Sequence, residues 1–366
     1  MRALSILVLA FVGMALPKGS EDSPPLPPAQ VVLRIDAPDP VGPWKMVVTN
    51  KGDVPVRFAA DGRLLSLEAP KPEDPYASSA KKRLKTPPPV VCKLPADLRP
   101  AGVVEDRAVI LAPGARYEEV ISPALYCFSE ASSKALVPGA TVTAKLGFSP
   151  KAQPGARKPV RETPPFVAEP AVTSPTVAAL KELVSEPFVL PQAAPVTGAT
   201  PQATPPSDDP NAPRLELVAS ARVDTANELT VGMTLTVKNV GGRAATLYLR
   251  RDNLLFDVDG PSGPAHCGYA AERRRVPREA FTSLGPKASR TLDVWVGEMC
   301  SDVVFDRPGL YRIWPSLAFP TSSGPSPVKA WTDTISTKEP VLVRVREGRL
   351  PFYSSPPQVF GASAAR

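Results

Sequence analysis

From Val31 to Ala37 apolar and polar positions alternate almost one for one, with Val31, Leu33, Ile35 and Ala37 on one face and Arg34 and Asp36 on the other. That is the period of a half-buried strand. Trp44, Met46 and Val48 repeat it, then Val56 with Phe58, Leu65 with Leu67, the stretch Val103 to Leu111, and Tyr117, Glu119 and Ile121. Val142, Ala144, Leu146 and Phe148 give a further strand, and Phe188 with Leu190 a last one. Asn50-Lys51-Gly52-Asp53, Asp61-Gly62 and Pro113-Gly114 stand between these runs as turns, Asn and Gly being residues that tolerate positive φ. Phe128 to Ala135 reads as a short helical turn. One short helix is also predicted, with Ser174 capping, Pro175 first, and Val177, Leu180 and Val184 on one face.

The pattern then starts again. Leu215, Leu217 and Ala219 open it, and Leu229, Val231, Met233, Leu235 and Val237 alternate without a fault. Asn239-Val240-Gly241-Gly242 takes the place of Asn50-Lys51-Gly52-Asp53, and Leu254-Leu255 the place of Leu64-Leu65. The window Leu111–Cys127, LAPGARYEEVISPALYC, returns as Leu284–Cys300, LGPKASRTLDVWVGEMC. Pro308-Gly309 answers Pro138-Gly139, Tyr311, Ile313, Leu317 and Phe319 follow, and Val341, Val343 and Val345 close the series. Short alternating strands in this number predict an all-β chain of two immunoglobulin-like β-sandwich domains in tandem.

Composition divides the rest. Forty-eight prolines and 6% aromatics lower the helix expectation. Arg2 followed by the apolar run Ala3–Ala15 is too short for a comfortable membrane span and suits a cleaved signal peptide over residues 1–19. Residues 20–28 read as a disordered lead-in, 29–190 as the first module, 191–212 as a Pro/Ala/Thr-rich linker, 213–348 as the second module and 349–366 as a loose tail. The formal charge of +7 shrinks when Arg2 and Lys18 leave with the signal. Residues 19–212 then balance, while residues 213–366 hold 20 basic against 15 acidic side chains. So small an excess argues against a dedicated nucleic-acid binder.

An exported chain meets an oxidising compartment, where four cysteines read as two disulfides. Three connectivities exist; the repeat favours Cys92 with Cys127 and Cys267 with Cys300. Each closed loop stabilises its module by roughly 3–4 kcal/mol in the chain-entropy model. Zinc is disfavoured because no C-x-x-C pair occurs and His266 is the single histidine.

An alternating strand ending in Asn-x-Gly, an apolar pair, a Leu-x-Pro turn and Pro-Gly-x-Tyr resemble bacterial immunoglobulin-like sandwiches. Module two is most similar to the BsuPI-type proteinase-inhibitor domain, through Val237-Lys238-Asn239-Val240-Gly241, Leu284-Gly285-Pro286 and Pro308-Gly309-Leu310-Tyr311. The whole resembles exported proteins of high-GC soil bacteria such as myxobacteria.

The chemistry is sparse. A histidine-dependent hydrolase must use His266, which sits beside Cys267 in a loop near Ser262, and no Gly-x-Ser-x-Gly elbow is present. Asp257-Val258-Asp259-Gly260 begins like a calcium loop but lacks the later oxygen ligands, so it reads as a hairpin turn. Glu118 and Glu119 face opposite sides of a strand and form no carboxylate pair. Each module carries a basic cluster near its first cysteine: Lys81, Lys82, Arg83 and Lys85, and Arg273, Arg274, Arg275 and Arg278. These are the candidate anion-binding residues, with an envelope protein or an anionic envelope polymer as the partner. No cofactor, catalytic residue, metal or further membrane span is expected. The sequence therefore points to an exported non-catalytic protein, periplasmic or secreted, with a binding or structural role in the envelope or outside the cell. A BsuPI-like protease inhibitor is the alternative and an enzyme the third reading.

Overall fold

The computed structural model describes residues 30–71, 88–100, 104–147, 166–168, 182–192, 212–268, 277–319 and 329–361. The predicted signal, the lead-in and nearly all of the linker lie outside them. The chain is all-β.

In the first module β1 (Val31–Asp36), β2 (Trp44–Asn50), β3 (Val56–Ala59), β4 (Leu65–Ala69), β5 (Val90–Lys93), β6 (Ala108–Leu111), β7 (Arg116–Ile121), β8 (Thr141–Gly147), β9 (Phe166–Ala168), β10 (Glu182–Val184) and β11 (Phe188–Val189) follow one another. They pair as β1-β2-β7 on one side and β10-β8-β4-β5 on the other, with β11 also on β8 and a third small sheet β6-β3-β9. The alternation does what it promised: Leu33, Ile35, Trp44, Met46, Val48, Leu65, Leu67, Val142, Ala144 and Leu146 are all buried in one core. The predicted helix does not reach Val184, which is in β10 and pairs with Lys145 of β8; its other positions lie outside the described residues. Three residues of strand are too short to show a period.

The second module runs β12 (Leu215–Ala219), β13 (Arg222–Thr225), β14 (Gly232–Asn239), β15 (Ala245–Leu247), β16 (Leu254–Asp259), β17 (Ala265–Gly268), β18 (Thr282–Leu284), β19 (Ser289–Trp295), β20 (Gly309–Leu317), β21 (Ile335–Ser336) and β22 (Val341–Val345). Its pairing repeats the first: β12-β14-β19 against β22-β20-β16-β17, with β21 on β20 and a small sheet β15-β18. The register agrees too. Met46 faces Glu119 where Leu235 faces Leu292, and Trp44 faces Ile121 where Met233 faces Val294. β13, paired parallel to β22, is an addition.

Both disulfides form within their own module, Cys92–Cys127 and Cys267–Cys300. Each ties β5 or β17 to the helical turn that follows β7 or β19, so the covalent link joins the two faces of the sandwich. Two disulfides fit an oxidising destination, and among the described residues no helix is long and apolar enough to cross a membrane.

The turn after β2 and β14 is held by an amide rather than by positive φ. Asn50 is fully buried and gives its two N–H groups to the carbonyls of Val54 and Leu111, both at 2.8 Å, while its oxygen accepts from Gly52 N at 3.0 Å. Asn239 does the same with Arg243 O at 2.8 Å, Leu284 O at 2.9 Å and Gly241 N at 3.0 Å. Neither glycine has positive φ. Gly241 is needed for room, since a Cβ there would meet Ala212 O at 2.3 Å. The left-handed position is in the partner turn: Gly114 at φ 75° in module one and Lys287 at φ 62° in module two.

After module two the chain does not trail away as a loose tail. It runs back to module one, where β23 (Val359–Phe360) pairs with Tyr117 and Arg116 of β7 as a fourth strand.

Two expectations follow. Asn50→Ala or Asn239→Ala leaves buried carbonyls without donors and lowers unfolding stability by about 3 kcal/mol in urea titration; a change under about 0.5 kcal/mol contradicts the pinning role. Lys287→Gly relieves a left-handed lysine and raises stability by about 0.5–1 kcal/mol in the same assay.

Candidate functional site

Of the sequence-derived basic residues, Arg278 lies among the described residues. Arg278 opens an exposed 3-10 turn before β18. Lys81, Lys82, Arg83, Lys85, Arg273, Arg274 and Arg275 lie outside the described residues. His266 is exposed on β17 and hydrogen-bonded to Asp257 across the hairpin. Ser262 is hydrogen-bonded to the hydroxyl of Tyr311, whose phenol burial pushes up to about 12 and which also donates to Arg307 O at 2.6 Å. The Asp257–Gly260 stretch is the end of β16 and the turn into β17, as the hairpin reading expects.

The polar side chains that do converge come from places the motif search passed over. Glu119 of β7 points inward beside Tyr117 of the same strand, whose hydroxyl donates to Glu119 Oε2; Gly62 N donates to the same oxygen at 3.0 Å. Asp61 caps the 3-10 turn before β4 and is paired with Arg63 at 2.8 Å. Arg107 is buried, with Nε on Ala60 O at 2.8 Å and Nη2 on the Tyr117 hydroxyl at 2.9 Å. Tyr126 donates to Gly62 O at 2.8 Å.

Into this cluster the tail inserts Tyr353. Its hydroxyl reaches Asp61 Oδ1 at 3.0 Å and also Glu119, and its ring lies 3.6 Å under the Arg107 guanidinium. Arg107 Nη1 holds Ser355 O at 3.2 Å, and Arg63 lies over Phe352 and Tyr353 at 5.6 and 5.5 Å.

Burial dominates the electrostatics. It raises the Glu119 carboxyl above its usual range, against the pull of the Tyr117 and Tyr353 hydroxyls and Arg107. Burial, then the nearby carboxylates, lifts the phenols of Tyr117, Tyr126 and Tyr353. Burial works against the charge on Arg63, but its bond to Asp61 prevails and holds its proton more tightly than usual. The donors and acceptors thus answer one another: chemically, the arrangement clasps a strap.

One usable signal for it is legible in the tail. Residues 349–360 contain two apolar pairs, Phe352-Tyr353 and Val359-Phe360, separated by Ser and Pro. That is unusual for a segment that stays in water.

A second contact joins the modules. Arg344 of β22 is buried, pairs with Asp224, donates to Leu125 O of module one at 3.2 Å and lies 4.4 Å over the Phe128 ring. Arg346 pairs with Asp97 at 2.9 Å.

Module two has different side chains at the corresponding place, between the turn before β16 and the end of β19. An open cleft of about 520 Å³ is bordered by Leu249, Arg250, Asp252, Leu292, Trp295 and Met299. Among the described residues no group of three His, Cys, Asp or Glu side chains is placed to hold a metal ion.

No protein-family model matches the chain, and no curated protein matches it. Among solved structures it is similar to the CARDB domain of a Pyrococcus furiosus protein, solved in complex with di-metal ions, at 18% identity over 36% of this chain and 88% of that one, with a TM-score of 0.17. It is also similar to red sea bream transglutaminase, at 11% identity over 86% of this chain, with a TM-score of 0.17. The chain spans about a third of that enzyme's length, 31%.

Proposed function

We propose that the chain is an exported, non-catalytic protein with a binding or structural role in the cell envelope or outside the cell, its modules acting as one clasped body. The observation that carries this reading is the strap. The most ionisable and most buried polar cluster among the described residues is filled by Tyr353 of the same chain, and the edge of β7 is filled by β23. A cluster saturated in this way supports assembly rather than turnover. Sheet edges that accept an extended segment are a recurrent means of holding polypeptides. The basic clusters Lys81–Lys85 and Arg273–Arg278 are the proposed contacts for anionic envelope polymers.

Fractionation of cells expressing the full chain tests the placement. Recovery in periplasm or medium, with Cys92–Cys127 and Cys267–Cys300 intact in non-reducing mass spectrometry, is expected; a cytoplasmic pool with free thiols overturns it.

The strap has its own tests. Tyr353→Ala removes a buried ring and leaves Asp61 and Glu119 without its hydroxyl, so a loss of about 3 kcal/mol or more is expected, with new protease cleavage between residues 346 and 361. Tyr353→Phe keeps the ring and costs about 1–2 kcal/mol. Protease resistance equal to wild type in the alanine variant contradicts the clasp.

The pH dependence follows from Glu119. Its folded pKa lies above the ordinary 4.5, so the fold binds the proton more tightly than the unfolded chain does. The stability tied to that proton is complete below about 4.5 and is lost as pH rises through the folded value. Glu119→Gln removes this titration. The stability of wild type minus that of the variant therefore falls between pH 4 and 7 in urea titration; a flat or rising difference contradicts the assignment.

A further inference from the structure

The outer face of the β12-β14-β19 sheet departs from its counterpart in module one. With Asn50 set on Asn239 and Leu111 on Leu284, the cross-strand pairs correspond: Lys45 faces Val120 where Thr234 faces Asp293, and Val47 faces Glu118 where Thr236 faces Thr291. In module one this face closes on itself. Glu118 is held by Lys45 at 3.1 Å and by Arg116 at 2.8 Å. In module two none of those charges remains: threonines stand for Lys45 and Glu118, and Ser289 for Arg116. The row ends on Gly232 opposite Trp295, where module one has Pro43 and Ser122. Module one folds without that pair, so the sandwich does not require it.

Side chains alternate along a strand, so Trp295, Asp293 and Thr291 of β19 share this outer face with Gly232, Thr234 and Thr236 of β14. The indole lies over Gly232. A Cβ there would come within 2.9 Å of two ring atoms, so any other residue would displace the ring. The tryptophan is 47% exposed, and its N–H makes no hydrogen bond among the described residues. A single apolar side chain on a surface needs no explanation. An aromatic platform with a few polar groups set in line beside it has the composition of a ligand site. Asp293 stands about 7 Å along the strand from Trp295. One of its oxygens takes the Thr234 hydroxyl at 2.7 Å, and the other meets no donor among the described residues. Thr236 and Thr291, directly opposed, continue the row of hydroxyls.

Charge selects among ligands. Asp293 forms no ion pair among the described residues, and the cation of the β14 row, Lys238, lies about 20 Å along the strand from Gly232. A polyanion is repelled at Asp293, and an apolar peptide leaves the carboxylate and the threonines without partners. A neutral pyranose meets both demands. Its C–H face stacks on an indole, and its rim of hydroxyls donates to a carboxylate and exchanges hydrogen bonds with threonines. An open sheet face further suits a flat chain, which equatorial β-1,4 linkage gives.

We propose that the outer face of β14 and β19 binds a neutral β-1,4-linked glycan chain, one sugar ring stacked on Trp295 and the next hydrogen-bonded to Asp293 and Thr234. The site shares no residue with the strap or the basic clusters, so it stands or falls apart from those readings.

The probes are cellohexaose and the N-acetylglucosamine hexamer, titrated into the full chain, with a galacturonic acid hexamer as the anionic control. Saturable binding of at least one neutral hexamer is expected, insensitive to added salt and accompanied by a change in tryptophan fluorescence. Trp295→Ala weakens it at least tenfold and removes the fluorescence change, whereas Trp295→Tyr, which keeps a ring, recovers most of the affinity. Asp293→Ala weakens binding about three- to tenfold, the effect of one hydrogen bond. Both positions are exposed, so lost binding with unchanged thermal unfolding reports the site rather than the fold. No saturation by either neutral hexamer at millimolar concentration, equal or tighter binding of the galacturonic acid hexamer, or indifference to Trp295→Ala overturns the proposal. So does self-association of the full chain that Trp295→Ala abolishes, since it assigns the face to a second copy.

Discussion

A buried side-chain amide has no water to fall back on, so wherever it is placed it fixes the groups around it. Asn50 and Asn239 use this constraint in the same way. Each closes strand β2 or β14 onto its own turn and onto the carbonyl of the leucine that begins the repeated window. The disulfide fixes the window's other end at Cys127 or Cys300. Between these two anchors β7 and β19 are held in one register against β2 and β14. The face they present, and therefore the clasp in one module and the cleft in the other, is set by an amide at one end and a covalent bond at the other.

The features legible in the sequence were those carried by local period. Alternation located the long strands, Asn-x-Gly and Leu-x-Pro located the turns, and the repeat selected one of three disulfide connectivities, the one observed. The mechanism of the turn is not carried by local period. Asn-x-Gly suggests a solution to positive φ, whereas the asparagine acts through its side chain and Gly241 through its lack of one. The clasp was not legible, because Tyr353 and Asp61 are 292 residues apart and nothing local marks them as partners. Glu119 shares the inward face of its strand with Tyr117 and Ile121, yet nothing local names the groups that enclose it, which come from Gly62, Arg107 and the returning tail. The candidate basic residues are conspicuous through their clustering in sequence, and Arg278, the one among the described residues, stands exposed on a 3-10 turn.

Docking between the modules rests on few but demanding contacts. Arg344 is a buried cation at the junction, and burying a charge is expensive unless its hydrogen bonds and a counter-charge are supplied. Asp224 comes from its own module, whereas Leu125 O and the Phe128 ring come from the other. Satisfying that guanidinium therefore favours one relative placement of the modules. The strap acts at a different point, through Tyr353 and β23, and two separate attachments resist rotation where either alone would act as a pivot.

The contrast between the copies has a thermodynamic side. The ligand of module one is tethered to the protein, so its effective concentration is set by the short connection from Val345 to Phe352 and moderate contacts suffice to keep the groove filled. Its groove accordingly carries no exposed aromatic: Tyr117 and Tyr126 are buried within the wall. At the corresponding place in module two, Arg250 is closed by its own neighbours, Asp252 at 3.4 Å and the Tyr248 hydroxyl at 3.3 Å. The scaffold positions agree between the copies because both must fold; the wall positions differ because the module-one groove is shaped to the strap from its own chain, Tyr353 between Asp61, Glu119 and Arg107, while Arg250 and Asp252 at the corresponding place answer each other.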